Sequence, residues 1–260
     1  MSKTRQRGFF DARAGCVSVL AYDYAHGHRV TEHAHRSHQL VYASAGAMAV
    51  HTDSGTFVVP ATRAVWVPGG LRHAISMSGA VAMRTLYFST ELWPRAPRHC
   101  RVLAIDPLLH ALIMTAIAQR GFDRRRVRDA RLIAVLIDRL AASSPLALHI
   151  PALKDARAER VAERVKAQPG GRQSLHELAR GVGASARTIE RLFRAESGLS
   201  FGQWRTHVRL LHGMQRLAAG DKVTTAAMEA GYTGVSAFIS AFRQAFGVTP
   251  GNYLKSATAT

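Results

Sequence analysis

The sequence predicts a two-domain α+β protein, and three observations carry that reading. Short apolar-rich segments separated by turn residues fill residues 15–90. The apolar period changes to a helical one at Pro107, and the last hundred residues hold an internal repeat. These set three expected regions: a strand-rich domain at 1–100, a helical segment and linker at 101–150, and an all-α unit at 151–260.

A chain of 260 residues that is 47% hydrophobic can bury the cores of two ordinary domains. It lacks the uninterrupted apolar run of about 18 residues that a membrane span needs. No apolar stretch of the kind found in a signal peptide follows Lys3, Arg5 and Arg7. Cys16 and Cys100 are the only cysteines, too few for a disulfide framework or a thiolate metal cluster, so a reducing cytoplasm is the expected location. The net charge of +18 favours polyanionic partners such as nucleic acid. Charge does not locate that partner's site: Lys+Arg outnumber Asp+Glu by 16 to 8 in residues 154–260 and by 19 to 9 before them.

In the first region, Leu40–Ser44, Ala47–Thr52, Thr56–Val59, Ala64–Val67 and Val81–Ser89 read as strands. Turns at Asp53-Ser54-Gly55 and Pro68-Gly69-Gly70 break them, as in a small barrel or sandwich. In the second region, Leu108, Leu112, Thr115 and Ile117 predict one helix. Leu132, Ile133, Leu136, Ile137 and Leu140 predict another, with an apolar stripe long enough to pack on the barrel and pair two chains. The arginines from Arg120 to Arg131 read as a solvated loop and helix edge, and the stretch from Ser143 to about Pro151 as a linker.

In the third region, Ala179, Gly183, Phe193, Gly198 and Ser200 recur as Ala227, Gly231, Phe242, Gly247 and Thr249. Each copy predicts two helices around a tight turn. Ser174 and Glu177 form a capping box for the first helix, Gly183 can end it, and Ser185 caps the second. On that second helix Ile189, Leu192 and Phe193 point inward, leaving Arg187, Glu190, Arg191 and Arg194 outside. The second copy leaves Val235, Ser236, Ile239, Ser240 and Arg243 outside. A helix with one packing face and one polar face can enter a major groove, and a long helix from Ser200 to Ala219 can space two such helices along a duplex.

Gly231-Tyr232-Thr233-Gly234-Val235-Ser236-Ala237-Phe238 and the run from Phe242 to Tyr253 resemble the C-terminal signature of AraC/XylS-type regulators. The segment Ser185 to Phe201 resembles that family's first helix-turn-helix, and the likeness spans about residues 155–256. It implies a DNA-binding transcription regulator, often an activator, sited near a promoter where RNA polymerase is a partner. By position, the resemblance puts Arg187, Glu190 and Arg191 among the first unit's base readers and Val235, Ser236, Ile239 and Ser240 among the second's. Arg194 and Arg243 join them on the DNA-facing side, with Arg243 placed late in its helix, where a phosphate is the natural contact.

One cluster remains in the first region. His33 and His35 share a parity on a strand, Gln39 keeps it, and His73 follows the Pro68-Gly69-Gly70 turn. The spacing from Gly27 to Gly46, and from Pro68 to His73, resembles the two cupin motifs, which implies a β-barrel or jelly roll. Gln39 replaces the acidic ligand of metal-binding cupins, Thr62 stands for a glycine and Met77 for an asparagine. Three imidazoles and an amide oxygen suit Zn, Ni or Fe(II); the same groups suit a metal-free pocket for an organic effector. His26, His28, His38 and His51 have no such spacing and read as surface residues. A ligand- or metal-responsive homodimeric regulator is the leading expectation. A cupin-type metal-dependent enzyme of the dioxygenase kind, anchored by its C-terminal part, is the alternative.

Overall fold

The computed structural model describes residues 11–60, 63–143, 145–146 and 149–253; Thr62 and the residues after Tyr253 lie outside it. Strands β1 (Cys16–Tyr24), β2 (Arg29–His33), β3 (His38–Thr52), β4 (Gly55–Pro60), β5 (Arg63–Val67), β6 (His73–Phe88) and β7 (Arg101–Ala104) come first. Helix α1 (Pro107–Ala118), strand β8 (Phe122–Asp123), helix α2 (Val127–Ala142) and short strands β9 (Pro145–Leu146) and β10 (His149–Pro151) follow. The remainder is helical: α3 (Ala156–Ala167), α4 (Leu175–Arg180), α5 (Ala186–Ser197), α6 (Phe201–Ala218), α7 (Val223–Glu229) and α8 (Val235–Phe246).

The strand-rich and helical regions form as the sequence predicts, with instructive differences. The expected strands Leu40–Ser44 and Ala47–Thr52 are one long strand, and Val81–Ser89 is the second half of another. β3 runs through Gly46 and β6 through Gly79, both at positive φ, and their antiparallel pairing shifts register between Ala43 and Ala47. Those irregularities bend the pair, so its two halves serve different neighbours: β5 and β4 along β3, β1 and β2 along β6. β3 is buried on both sides. Leu40 and Tyr42 face α1 and α2, while Val41 and Ala43 face the barrel interior.

Helix α1 starts at Asp106, whose carboxylate accepts the Leu109 amide hydrogen, and buries Leu109, Leu112, Ile113 and Ala116. Its inner face is thus turned from the expected one, leaving Leu108 exposed. The α2 stripe goes largely to the chain's own barrel: Ile133, Leu136 and Leu140 are buried, and Leu132 and Ile137 are half-buried. The expected linker is also partly strand, because β9 pairs with β7 and β10 with β4. Helix α3 had a legible signal, Ala158, Val161, Ala162 and Val165 in helical spacing, which the repeat overshadowed. In the helical unit both predicted capping serines, Ser174 and Ser185, accept the expected amide hydrogens. Helix α4 stops at Arg180, with Gly183 left-handed in the turn beyond.

The barrel and the helical unit share one continuous core, from Val58, Val65 and Met83 through Val161 to Phe193, Trp204 and Phe242. A close contact at this junction involves Gly79, which is buried at φ 75° on β6; a Cβ there would overlap the carbonyl oxygen of Ala218 on α6. Gly70 has φ 82° but open space around it. Left-handed backbone costs a non-glycine residue roughly 1–2 kcal/mol. Gly70→Ala should therefore lose about that much stability, and Gly79→Ala roughly 1–2 kcal/mol more as the barrel is pushed off α6. Urea unfolding of both variants checks this; equal losses would show that the junction yields freely.

Candidate effector site and nucleic-acid interface

The structure brings His33, His35, Gln39 and His73 together inside the barrel. His33 ends β2 and stands opposite His73, the first residue of β6. His35 differs from expectation: it lies in the loop between β2 and β3, not on a strand. That loop is held from two sides. The Asp11 carboxylate accepts the amide hydrogens of Arg36 and Ser37, and the Gly70 amide donates to the His35 carbonyl. His33 is 8% exposed, His35 6%, Gln39 1% and His73 1%, so whatever the cluster binds is taken out of water.

The hydrogen bonds fix what each ring presents. Nδ1 of His33 lies 2.8 Å from the Thr31 carbonyl, that of His35 2.7 Å from Ser37, and that of His73 2.9 Å from Leu71. A carbonyl only accepts, so each Nδ1 carries the hydrogen and a neutral ring offers a lone pair at Nε2. Burial pushes the pKa of His73 down to about 4 and lowers that of His33, so these two rings are neutral at neutral pH. Nε2 of His35 and of His73 each lie 3.0 Å from the Gln39 side-chain oxygen. The Gln39 amide nitrogen donates instead to Thr85 and Tyr87, at 3.1 Å each, and the Thr85 hydroxyl donates to the Leu40 carbonyl. The neutral His73 ring thus turns a lone pair toward an amide oxygen that cannot donate. The donor atoms of the three histidines lie within 4.8 Å of one another.

Thr85 and Tyr87 were missed by sequence reasoning. Their signal is a polar pair at strand parity near the end of β6, on the strand that His73 begins. The other histidines divide. His26 and His28 are exposed as expected, but His38 and His51 are half-buried: His38 accepts the Gly69 amide hydrogen, and His51 bonds Thr56 and Ser76.

The second candidate site lies on α5 and α8. Arg187, Arg191 and Arg194 are exposed along α5, and Ser236, Ser240 and Arg243 along α8, with Val235 and Ile239 half-buried beside them. Glu190, expected among the base readers, also has partners within the chain. One carboxylate oxygen accepts from Arg194 Nε at 2.9 Å and the other from the Phe201 amide at 3.2 Å, so the side chain braces the start of α6. The basic run before α2 is solvated as expected, with Arg125 paired to Asp123.

A family model described as an AraC-like ligand binding domain matches residues 15–136, and one described as a helix-turn-helix domain matches residues 178–256. The HTH-type transcriptional regulator NimR of Escherichia coli is 32% identical over 226 residues, covering 87% of this chain and 82% of NimR. The HTH-type transcriptional regulator RipA of Corynebacterium glutamicum is 35% identical over 104 residues, 40% of this chain and 31% of RipA. The crystal structure of ToxT from Vibrio cholerae with an unsaturated fatty acid bound aligns over 96% of this chain and 99% of its own. Identity there is 12% and the TM-score 0.41.

The bracing role of Glu190 is testable. Glu190→Gln should lower unfolding stability by up to about 1 kcal/mol and leave the base preference of bound DNA unchanged. Selection of bound duplexes from a random pool, run beside thermal melting, reads both. A changed preference at one base pair with stability intact would return Glu190 to base reading.

Proposed function

Because this chain belongs to the AraC family of transcription regulators, DNA-binding proteins with a ligand-binding domain, we propose that its ligand is a divalent transition-metal ion. His33, His35, His73 and Gln39 hold it in the barrel. The observation that carries this reading is the mismatch at Gln39: the lone pair of the neutral His73 ring faces an oxygen that cannot donate. A cation turns that repulsion into ligation. The three Nδ1–H groups bonded to backbone carbonyls are the outer support that metal-bound histidines use. An ion about 2.0–2.1 Å from each of four tetrahedral ligands holds donor atoms roughly 3.4 Å apart, so the widest pair of the cluster must close by up to about 1.4 Å. Zn, Ni or Fe(II) suits this set of three nitrogens and one oxygen.

The rest of the reading follows the family. Arg187 and Arg191 on α5 read base edges, α8 contributes apolar and short polar contacts, and Arg194 and Arg243 meet phosphates. Two chains pair through the outer face of α1 and α2, where Leu108 and Val135 stay exposed. The protein acts on promoter DNA in the cytoplasm, beside RNA polymerase.

Protein purified without chelator should carry about one transition-metal ion per chain, and His33→Ala with His35→Ala should abolish it. No metal in the purified protein and no uptake on titration with Zn, Ni or Fe(II) would refute the reading. The Gln39 amide would then be turned over, its hydrogens on the two imidazoles, in a pocket for an organic effector.

DNA reading has its own test. On a duplex selected by the wild-type protein, Arg191→Ala should weaken binding about ten- to a hundredfold and flatten preference at one base pair. Arg243→Ala should weaken selected and scrambled DNA alike and lower the salt slope by about one. Equal losses on both DNAs for Arg191→Ala would exclude base reading by that residue.

A further inference from the structure

The two halves of the helical repeat are anchored differently. In the first unit three polar side chains tie α5 to its surroundings. Ser185 caps its start by accepting the Thr188 amide hydrogen at 3.1 Å. Glu190 accepts the Phe201 amide at 3.2 Å, and Glu196 accepts the Lys154 amide at 2.7 Å and that of Asp155 as well. At the offset of 49 residues that aligns Phe193 with Phe242, the same positions in the second unit are Gly234, Ile239 and Ala245. None has a side-chain acceptor, and the start of α8 has no side-chain cap.

What α8 has instead comes from the other domain. Arg63, the first residue of β5, donates from Nη2 to the carbonyl oxygen of Phe246 at 3.1 Å. That carbonyl belongs to the last turn of α8, where unpaired carbonyls and the negative end of the helix dipole favour a cation. Gly247, left-handed at φ 75°, ends the helix beside the same guanidinium. Ala245 and Phe246 also line a small apolar pocket with Ile150 of β10, a strand paired to the barrel's β4, and with Leu210 and Leu211 of α6. The C-terminal end of α8 is therefore seated on the sensor barrel.

We infer that Arg63 is a positioning residue for the second recognition helix: DNA reading by α8 depends on a contact made by the sensor domain, whereas α5 is held within its own domain. This rests on the reading of α8 as the second DNA-reading helix. The outward side chains of α8 raise the stakes. Val235, Ser236, Ile239 and Ser240 are short, so they touch base edges only when the helix sits close in the groove. The long arginines of α5 tolerate more displacement.

The first test uses the full-length chain without DNA. Backbone hydrogen exchange is compared for wild type, Arg63→Ala and Arg63→Lys. In Arg63→Ala, amides of residues 235–246 should exchange about three- to tenfold faster while those of 186–197 keep the wild-type rate. Arg63→Lys, which keeps the charge, should recover part of the protection. Unchanged exchange in α8 overturns the inference, and so does an equal rise in both helices with a lowered Tm, which would make Arg63 a general stabiliser. If Arg63→Ala fails to fold, Arg63→Gln, which keeps an amide donor, takes its place under the same criteria. The second test uses a duplex selected by the wild-type protein, with either half scrambled. Arg63→Ala should bind the intact duplex about three- to tenfold more weakly and lose little more when the half under α8 is scrambled. If scrambling that half costs the wild type nothing, the reading of α8 fails, while the exchange result still decides whether Arg63 positions it.

Discussion

The pairing of β3 with β6 is the constraint from which the rest of the molecule is built. At one end it sets Gln39 opposite Tyr87 and beside Thr85, which orients the Gln39 amide and points its oxygen at His35 and His73. At the other end it carries β6 past its bend to Gly79, where the strand meets the end of α6. The same two strands thus floor the His/Gln cluster and abut the helix that joins the two repeat units. A shift of one residue in their register would turn Gln39 out of the barrel and Leu40 into it.

The buried cluster is rich in acceptors. The Gln39 oxygen and Nε2 of His73 face each other once the other hydrogens have gone to the Leu71 carbonyl, Thr85 and Tyr87. Removing such a set from water is costly unless something positive or hydrogen-rich occupies its centre. The loop carrying His35 is tied to the protein through Asp11 and Gly70.

The repeat shows how duplicated sequence can acquire unequal duties. Both units keep the packing aromatics and the left-handed glycine that ends the recognition helix, so both keep the same local shape. The polar side chains that would make each unit self-sufficient survive only in the first. Loss of local anchors in the second is matched by a guanidinium and an apolar seat supplied from the barrel side. The barrel and the helical unit therefore form one packed body with a shared core.

The sequence by itself determined the regular parts. Helical period, capping serines and the matched glycines and phenylalanines of the repeat are local patterns, because hydrogen bonding and side-chain direction in a helix act within four residues. The spacing of His33, Gln39 and His73 was legible for a similar reason, as strand parity and a Gly-Gly turn mark them, whereas His35 joins them from a loop held by Asp11 and Gly70. What only the tertiary structure decided depends on residues far apart in the chain. That Glu190 has a partner at the start of α6 turns on where the Phe201 amide lies. Whether the α2 stripe faces a partner or the chain's own barrel turns on the position of α1. The burial of β3 on both sides erased the alternation that would have marked it as one long strand. Arg63 belongs with these: nothing in the sequence around it hints at α8, because a helix end and a strand separated by 183 residues meet only through the packing of two finished domains.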